Sequence, residues 1–170
     1  MNTPAAPAPH PNAEPAAPKE PPALIAHILR RYHDTHRAQL VELQGLATKV
    51  EAAQAQHPEL PAGLSALLQT IAAELHAHMA KEETILFPML ARGGHPFAAR
   101  PIAVMRSEHV SHGERLAQLL ALTRAATPPA DAGDDWRRLY TGLRTFVDDV
   151  QAHIRLENDV LFPPFEARPA

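Results

Sequence analysis

Residues 78–88 read HMAKEETILFP, and residues 153–163 read HIRLENDVLFP. Both follow H-x3-E-x3-L-F-P, at an offset of 75 residues. A histidine at i and a glutamate at i+4 share one face of an α-helix, one turn apart, so both side chains can reach a common point. Upstream of the first copy stands His33-x2-His36-x3-Leu40, and upstream of the second His109-x2-His112-x3-Leu116. His33 precedes His78 by 45 residues, and His109 precedes His153 by 44. The chain therefore reads as two helical hairpins offset by 75–76 residues, which predicts pseudo-two-fold symmetry around whatever these residues share.

The apolar periodicity supports four helices. Leu24, Ile25, Ile28, Leu29, Tyr32, Leu40, Leu43, Leu46 and Val50 recur at three- and four-residue intervals until His57-Pro58 breaks the run. A second run starts near Pro61 and carries Leu64, Leu67, Leu68, Ile71, Leu75, Met79 and Leu86. The loop Arg92-Gly93-Gly94-His95-Pro96 separates it from a third, expected from Pro101 to Pro128-Pro129. A fourth follows a cap region at Asp131–Asp134 and ends at Pro163-Pro164. No stretch alternates with the period of a strand. Helices of roughly 25–30 residues, about 40 Å long, predict an all-α fold: an up-down-up-down four-helix bundle over residues 23–166. Residues 1–22 hold 8 of the 18 prolines and read as a disordered Pro/Ala-rich tail.

Composition narrows the function. With no cysteine, the chain supplies no disulfide, thiolate zinc site, cysteine nucleophile or thiolate-held cluster. A formal charge of −3 and 5% aromatics argue against a nucleic-acid partner. No apolar run is long enough for a bilayer span, and the N-terminus lacks a secretory signal pattern, so the expectation is a cytoplasmic protein without membrane contact. Eleven histidines are more imidazole than a core needs.

The helical spacing supplies a use for them. Two H-x3-E helices, with a histidine from each of the other two, bring four imidazoles and two carboxylates into the bundle core. Two carboxylates from opposite helices can bridge two cations while each cation takes two histidines. This nitrogen- and carboxylate-rich set favours non-haem iron over calcium or magnesium, with manganese and zinc compatible by residue type. Left without metal, the same groups would form an expensive buried polar cluster.

Tyr32-His33-Asp34-Thr35-His36-Arg37, the two H-x3-E-x3-L-F-P segments and Val104-Met105-Arg106-Ser107-Glu108-His109 resemble the bacterial repair-of-iron-centres proteins. These are hemerythrin-like di-iron proteins, and the resemblance runs from about Leu24 to Phe165. It implies two iron ions with an oxo or hydroxo bridge, held by His33, His78, His109 and His153, with Glu82 and Glu157 bridging. It also implies repair of iron–sulfur centres damaged by nitrosative or oxidative stress, with damaged iron–sulfur proteins as partners. NO would be bound and reduced at the iron pair, an oxidoreductase activity; the alternative is reversible binding or sensing of O2 or NO. Family members commonly begin with a small cysteine-bearing domain, whereas here a Pro/Ala stretch precedes the bundle. A carboxylate that often follows the third-helix histidine is replaced by Val110 and Ser111, which leaves Glu108 or His112 to serve instead. His36, His112, Glu74 and Asp149, repeated in both halves, are candidates for supporting the ligands from behind. Tyr32 and Tyr140 are expected in the core.

Overall fold

The computed structural model describes residues 17–166; residues 1–16 of the expected tail, including His10, lie outside the described residues. Helix α1 covers residues 21–53 and α2 residues 64–91, while α3 is Ala99–Leu122 and α4 covers residues 134–161. A single turn, α5, follows at Pro163–Glu166. Pro21 and Pro22 open α1, where their missing N–H groups cost nothing. Helix α2 starts at Leu64, three residues later than the apolar pattern suggests, because Gly63 turns the chain with φ +88°. The cap of α4 is Gly133 rather than an aspartate side chain, and Asp134 and Asp135 face the positive end of the helix dipole. Helix α3 stops at Leu122, short of Pro128, where Arg124, Ala125 and Ala126 all take positive φ. Buried Thr123 steadies that turn by donating to the Leu119 carbonyl and accepting from the Ala126 N–H.

Up-down alternation follows from which residues meet. One apolar cluster joins Leu24 and Ile28 of early α1, Leu86, Phe87 and Leu90 of late α2, Ile102 and Met105 of early α3, and Leu161 and Phe162 at the end of α4. The other joins Leu40–Val50 of α1, Leu64–Met79 of α2, Leu116 and Leu119 of α3, and Trp136–Val150 of α4. Each cluster therefore sits at one end of an antiparallel bundle. At Gly142 an added Cβ would lie 2.9 Å from Leu43 Cδ2, so the glycine lets α4 approach α1 closely. Between the two apolar ends lies a layer of buried His33, His78, His109, His153, Glu82 and Glu157. The core is thus interrupted by one polar storey, and it is where the sequence repeat is strongest.

Three helices open into π-helical turns at this storey: Leu29–His33 in α1, Glu82–Leu86 in α2 and Glu157–Leu161 in α4. Each contains a residue of the polar layer. In both repeat copies the phenylalanine N–H bonds five residues back, Phe87 to the Glu82 carbonyl and Phe162 to the Glu157 carbonyl. The proline that follows has no N–H to continue an α ladder and would press on the carbonyl four residues before it. The wider turn relieves that crowding, so L-F-P records a local backbone change as well as an apolar contact. Such single-turn insertions are frequent at functional sites.

Candidate metal centre

The six side chains converge as two groups of four. His33, Glu82, His153 and Glu157 offer ligand atoms within 4.8 Å of one another, as do His78, Glu82, His109 and Glu157. Both glutamates belong to both groups. Glu82 Oε2 is 3.4 Å from His33 Nε2 and 3.4 Å from His78 Nε2. Glu157 Oε1 is 3.1 Å from His153 Nε2, and Glu157 Oε2 is 3.1 Å from His109 Nε2. Each histidine pair takes one member from each half of the repeat, so the pseudo-two-fold exchanges the two groups. This pairing could not be read from the sequence.

These groups suit cations better than one another. His33 Nε2, both oxygens of Glu82 and Glu157 Oε2 are buried with no hydrogen-bond partner among the described residues. Buried polar atoms are nearly always satisfied, and a set of orphans aimed at one volume indicates a ligand. Burial, with the Glu157 charge adding to it, pushes the Glu82 carboxyl well above the usual carboxylate range. Burial alone would raise Glu157 as well, but His153 and His109 outweigh it and hold Glu157 well below that range. Burial is also the largest influence on His33 and His78, lowering them to about 4 and about 3. Both are therefore neutral at physiological pH, with a lone pair to offer a metal.

Behind each imidazole stands a second residue. His33 Nδ1 donates to Glu83 Oε1 at 2.8 Å, and the same oxygen accepts from Arg37 at 2.6 Å. In the other half His109 Nδ1 donates to Asn158 Oδ1 at 3.0 Å. His78 Nδ1 donates to Glu108 Oε2 at 2.9 Å, while Lys81 pairs with the other Glu108 oxygen. His153 Nδ1 faces His36 Nε2 at 3.3 Å. Ring N–H bonds of this type fix the tautomer that presents Nε2 to the centre. The rings are also packed: Phe87 stacks on His33, Phe162 on His109, and Tyr32 on His153 at 5.2 Å between centroids.

The remaining candidates separate cleanly. His36 and His112 stay outside both four-residue groups. His112 meets the His78 ring edge-on, and its Nε2 has no hydrogen-bond partner among the described residues. Glu74 does not reach the layer; it holds Arg115 in a bidentate pair one turn away. Asp149 contacts no ligand histidine directly and instead accepts from Arg31 and Gln39. Tyr140 packs on Trp136 in the core away from the site. Glu83 and Asn158 were missed, although each follows the motif glutamate in its own copy and can accept a hydrogen bond.

The chain is also similar to known proteins. The iron-sulfur cluster repair protein YtfE of Yersinia pseudotuberculosis is 49% identical over 140 residues, which cover 82% of this chain and 63% of that protein. A probable iron-sulfur cluster repair protein of Haemophilus influenzae is 46% identical over 140 residues, with the same shares covered. The chain thus spans less than two thirds of the length of these relatives. The model of the hemerythrin HHE cation binding domain matches residues 24–165, the whole bundle with every histidine and glutamate of the polar layer, so this chain belongs to the hemerythrin HHE cation-binding family.

Proposed function

We propose that this bundle holds two iron ions and serves in the repair of iron–sulfur centres damaged by nitrosative or oxidative stress, binding NO and reducing it to nitrous oxide. The observation that carries the reading is the pair of four-residue groups sharing Glu82 and Glu157. His33 and His153 would serve one iron and His78 and His109 the other, with both glutamates bridging. When bound, a ferrous pair supplies the two electrons that two NO molecules require, together with two protons, to give nitrous oxide and water.

The chain's own residues set the conditions. The apolar clusters above and below the layer shield it from bulk water. Glu108 and Glu83 hold His78 and His33 in the metal-facing tautomer. The curated names of the relatives support damaged iron–sulfur proteins as partners. Among the described residues no helix is long and apolar enough to cross a membrane, and we place the protein in the cytoplasm with those partners.

The test is an anaerobic assay of iron-loaded protein with NO and a reductant, following nitrous oxide and, separately, recovery of an NO-damaged iron–sulfur enzyme. Catalytic nitrous oxide and accelerated recovery are expected. NO uptake without nitrous oxide or recovery would replace this reading by reversible binding.

A further inference from the structure

The two histidine pairs are related by pseudo-symmetry, yet the hydrogen bonding behind them is not. Behind His153 runs a chain of hydrogen bonds between α1 and α4. Arg31 Nη2 donates to Asp149 Oδ1 at 2.9 Å, and Gln39 Nε2 donates to Asp149 Oδ2 at 2.7 Å. Asp149 can only accept, so it orients the Gln39 amide and turns its oxygen toward His36. Gln39 Oε1 lies 3.3 Å from His36 Nδ1, and His36 Nε2 lies 3.3 Å from His153 Nδ1. With His36 donating from Nδ1, its Nε2 must accept, and the proton between the two rings then belongs to His153 Nδ1. That leaves the lone pair of His153 on Nε2, which faces Glu157.

The other half keeps the two histidines of this chain and changes the groups behind them, with Ser107 standing where the repeat would place Arg31. By the repeat, Asp149 corresponds to Glu74, Gln39 to Arg115, His36 to His112 and His153 to His78. Arg115 pairs with Glu74 through both Nε and Nη2. A guanidinium has donors and no acceptor, so it cannot receive the His112 N–H and pass the polarity inward. The chain ends there: His112 Nε2 has no hydrogen-bond partner among the described residues, and His78 is held by Glu108 instead.

Resting on the two-metal reading above, we propose that Gln39, oriented by Asp149, acts through His36 as a positioning residue for His153, so that the metal held by His33 and His153 depends on this chain and the metal held by His78 and His109 does not. His36 and Gln39 touch neither group of ligand atoms; they set which nitrogen of His153 is offered and where it points. Glutamine at 39 and arginine at 115 thus make two sites of one repeated ligand set unequal.

The experiment follows iron release from anaerobically loaded protein to a chromogenic ferrous chelator. Gln39→Leu removes the amide while leaving the ligands in place; Gln39 is only partly buried, and an unchanged circular dichroism spectrum is required of the variant. Losing a partner behind a metal ligand usually weakens metal affinity about 10- to 100-fold, so one of the two irons should leave faster by up to that factor and the other at the wild-type rate. Arg115→Leu, the same change at the pseudo-equivalent position, should leave both rates unchanged. His36→Gln, whose amide can accept from His153 Nδ1 in place of the imidazole, should release iron within a few-fold of wild type, where a merely space-filling role would give no rescue. Equal, wild-type release from Gln39→Leu, or equal acceleration by Arg115→Leu, would overturn the proposal. Wild-type protein that loads fewer than two irons would overturn the two-metal reading itself, which separates the two failures.

Discussion

Replacing Glu82 by methionine should stabilise the metal-free protein and destabilise the metal-loaded one. Glu82 is fully buried, neither carboxyl oxygen is hydrogen-bonded among the described residues, and the Glu157 charge lies beside it. A buried polar group without a partner costs about 1–3 kcal/mol. Exchanging buried charged groups for apolar side chains of similar volume is often neutral or stabilising, by about 1–4 kcal/mol. Methionine is unbranched and close to glutamate in size, so little repacking is needed. In a domain of this length each kcal/mol moves the melting temperature by about 2–4 °C, so chelated Glu82→Met should melt several degrees above chelated wild type. With metal the order reverses. Glu82 belongs to both four-residue groups, so its loss weakens both sites. At a hundredfold excess of free metal over Kd each site contributes about 2.7 kcal/mol, most of which the variant forfeits. The assay is thermal unfolding followed by circular dichroism, with chelator and with excess ferrous iron under argon. A variant that loses the same stability in both conditions would refute the reasoning, because Glu82 would then be a packing residue.

Further outcomes follow from the same geometry. His33→Ala should retain about one metal per chain and Glu157→Ala about none, since the histidine belongs to one group and the glutamate to both; metal analysis after gel filtration distinguishes them, and equal losses would contradict the sharing. Burial lowers His33 and His112 to about 4 and His36 and His78 to about 3, from an ordinary 6.5. The unfolded chain therefore binds more protons than the folded one from pH 6.5 downward, and each histidine costs about 1.4 kcal/mol per pH unit until its folded pKa is reached. Metal-free protein should accordingly acid-unfold between about pH 4 and 6, seen in Trp136 fluorescence, and stability held down to pH 4 would contradict this. Phe162→Ala removes a fully buried ring stacked on His109; a loss of about 3–5 kcal/mol is expected from urea titration, with weaker metal retention. A loss under 1 kcal/mol would show that the ring is not packed as described.

Much of this protein was legible before its structure. The 3.6-residue periodicity places Leu24, Leu43, Leu68 and Phe146 inside, and all are buried. The repeat of H-x3-E marks the polar layer because two copies at one offset are hard to explain by surface chemistry. What escaped has physical reasons. A π-helical turn leaves no periodic trace in five residues, and only Pro88 and Pro163 hinted at it. The end of α3 at Leu122 depends on three residues with positive φ that propensity does not favour. The cross-half pairing of histidines is tertiary, since spacing along one helix is silent about which neighbour a ring meets. Glu74 and Asp149 occupy equivalent positions in the repeat, but Arg115 and Gln39 opposite them direct one outward and the other toward His36.

The most direct test of the account is the iron stoichiometry of the purified chain loaded under argon, read together with its absorption spectrum after controlled oxidation. Two irons per chain, with an oxo-to-iron band in the oxidised form and a new absorption when NO is added to the reduced form, are predicted. One iron per chain, or none, would contradict the shared Glu82–Glu157 centre on which the proposed function rests.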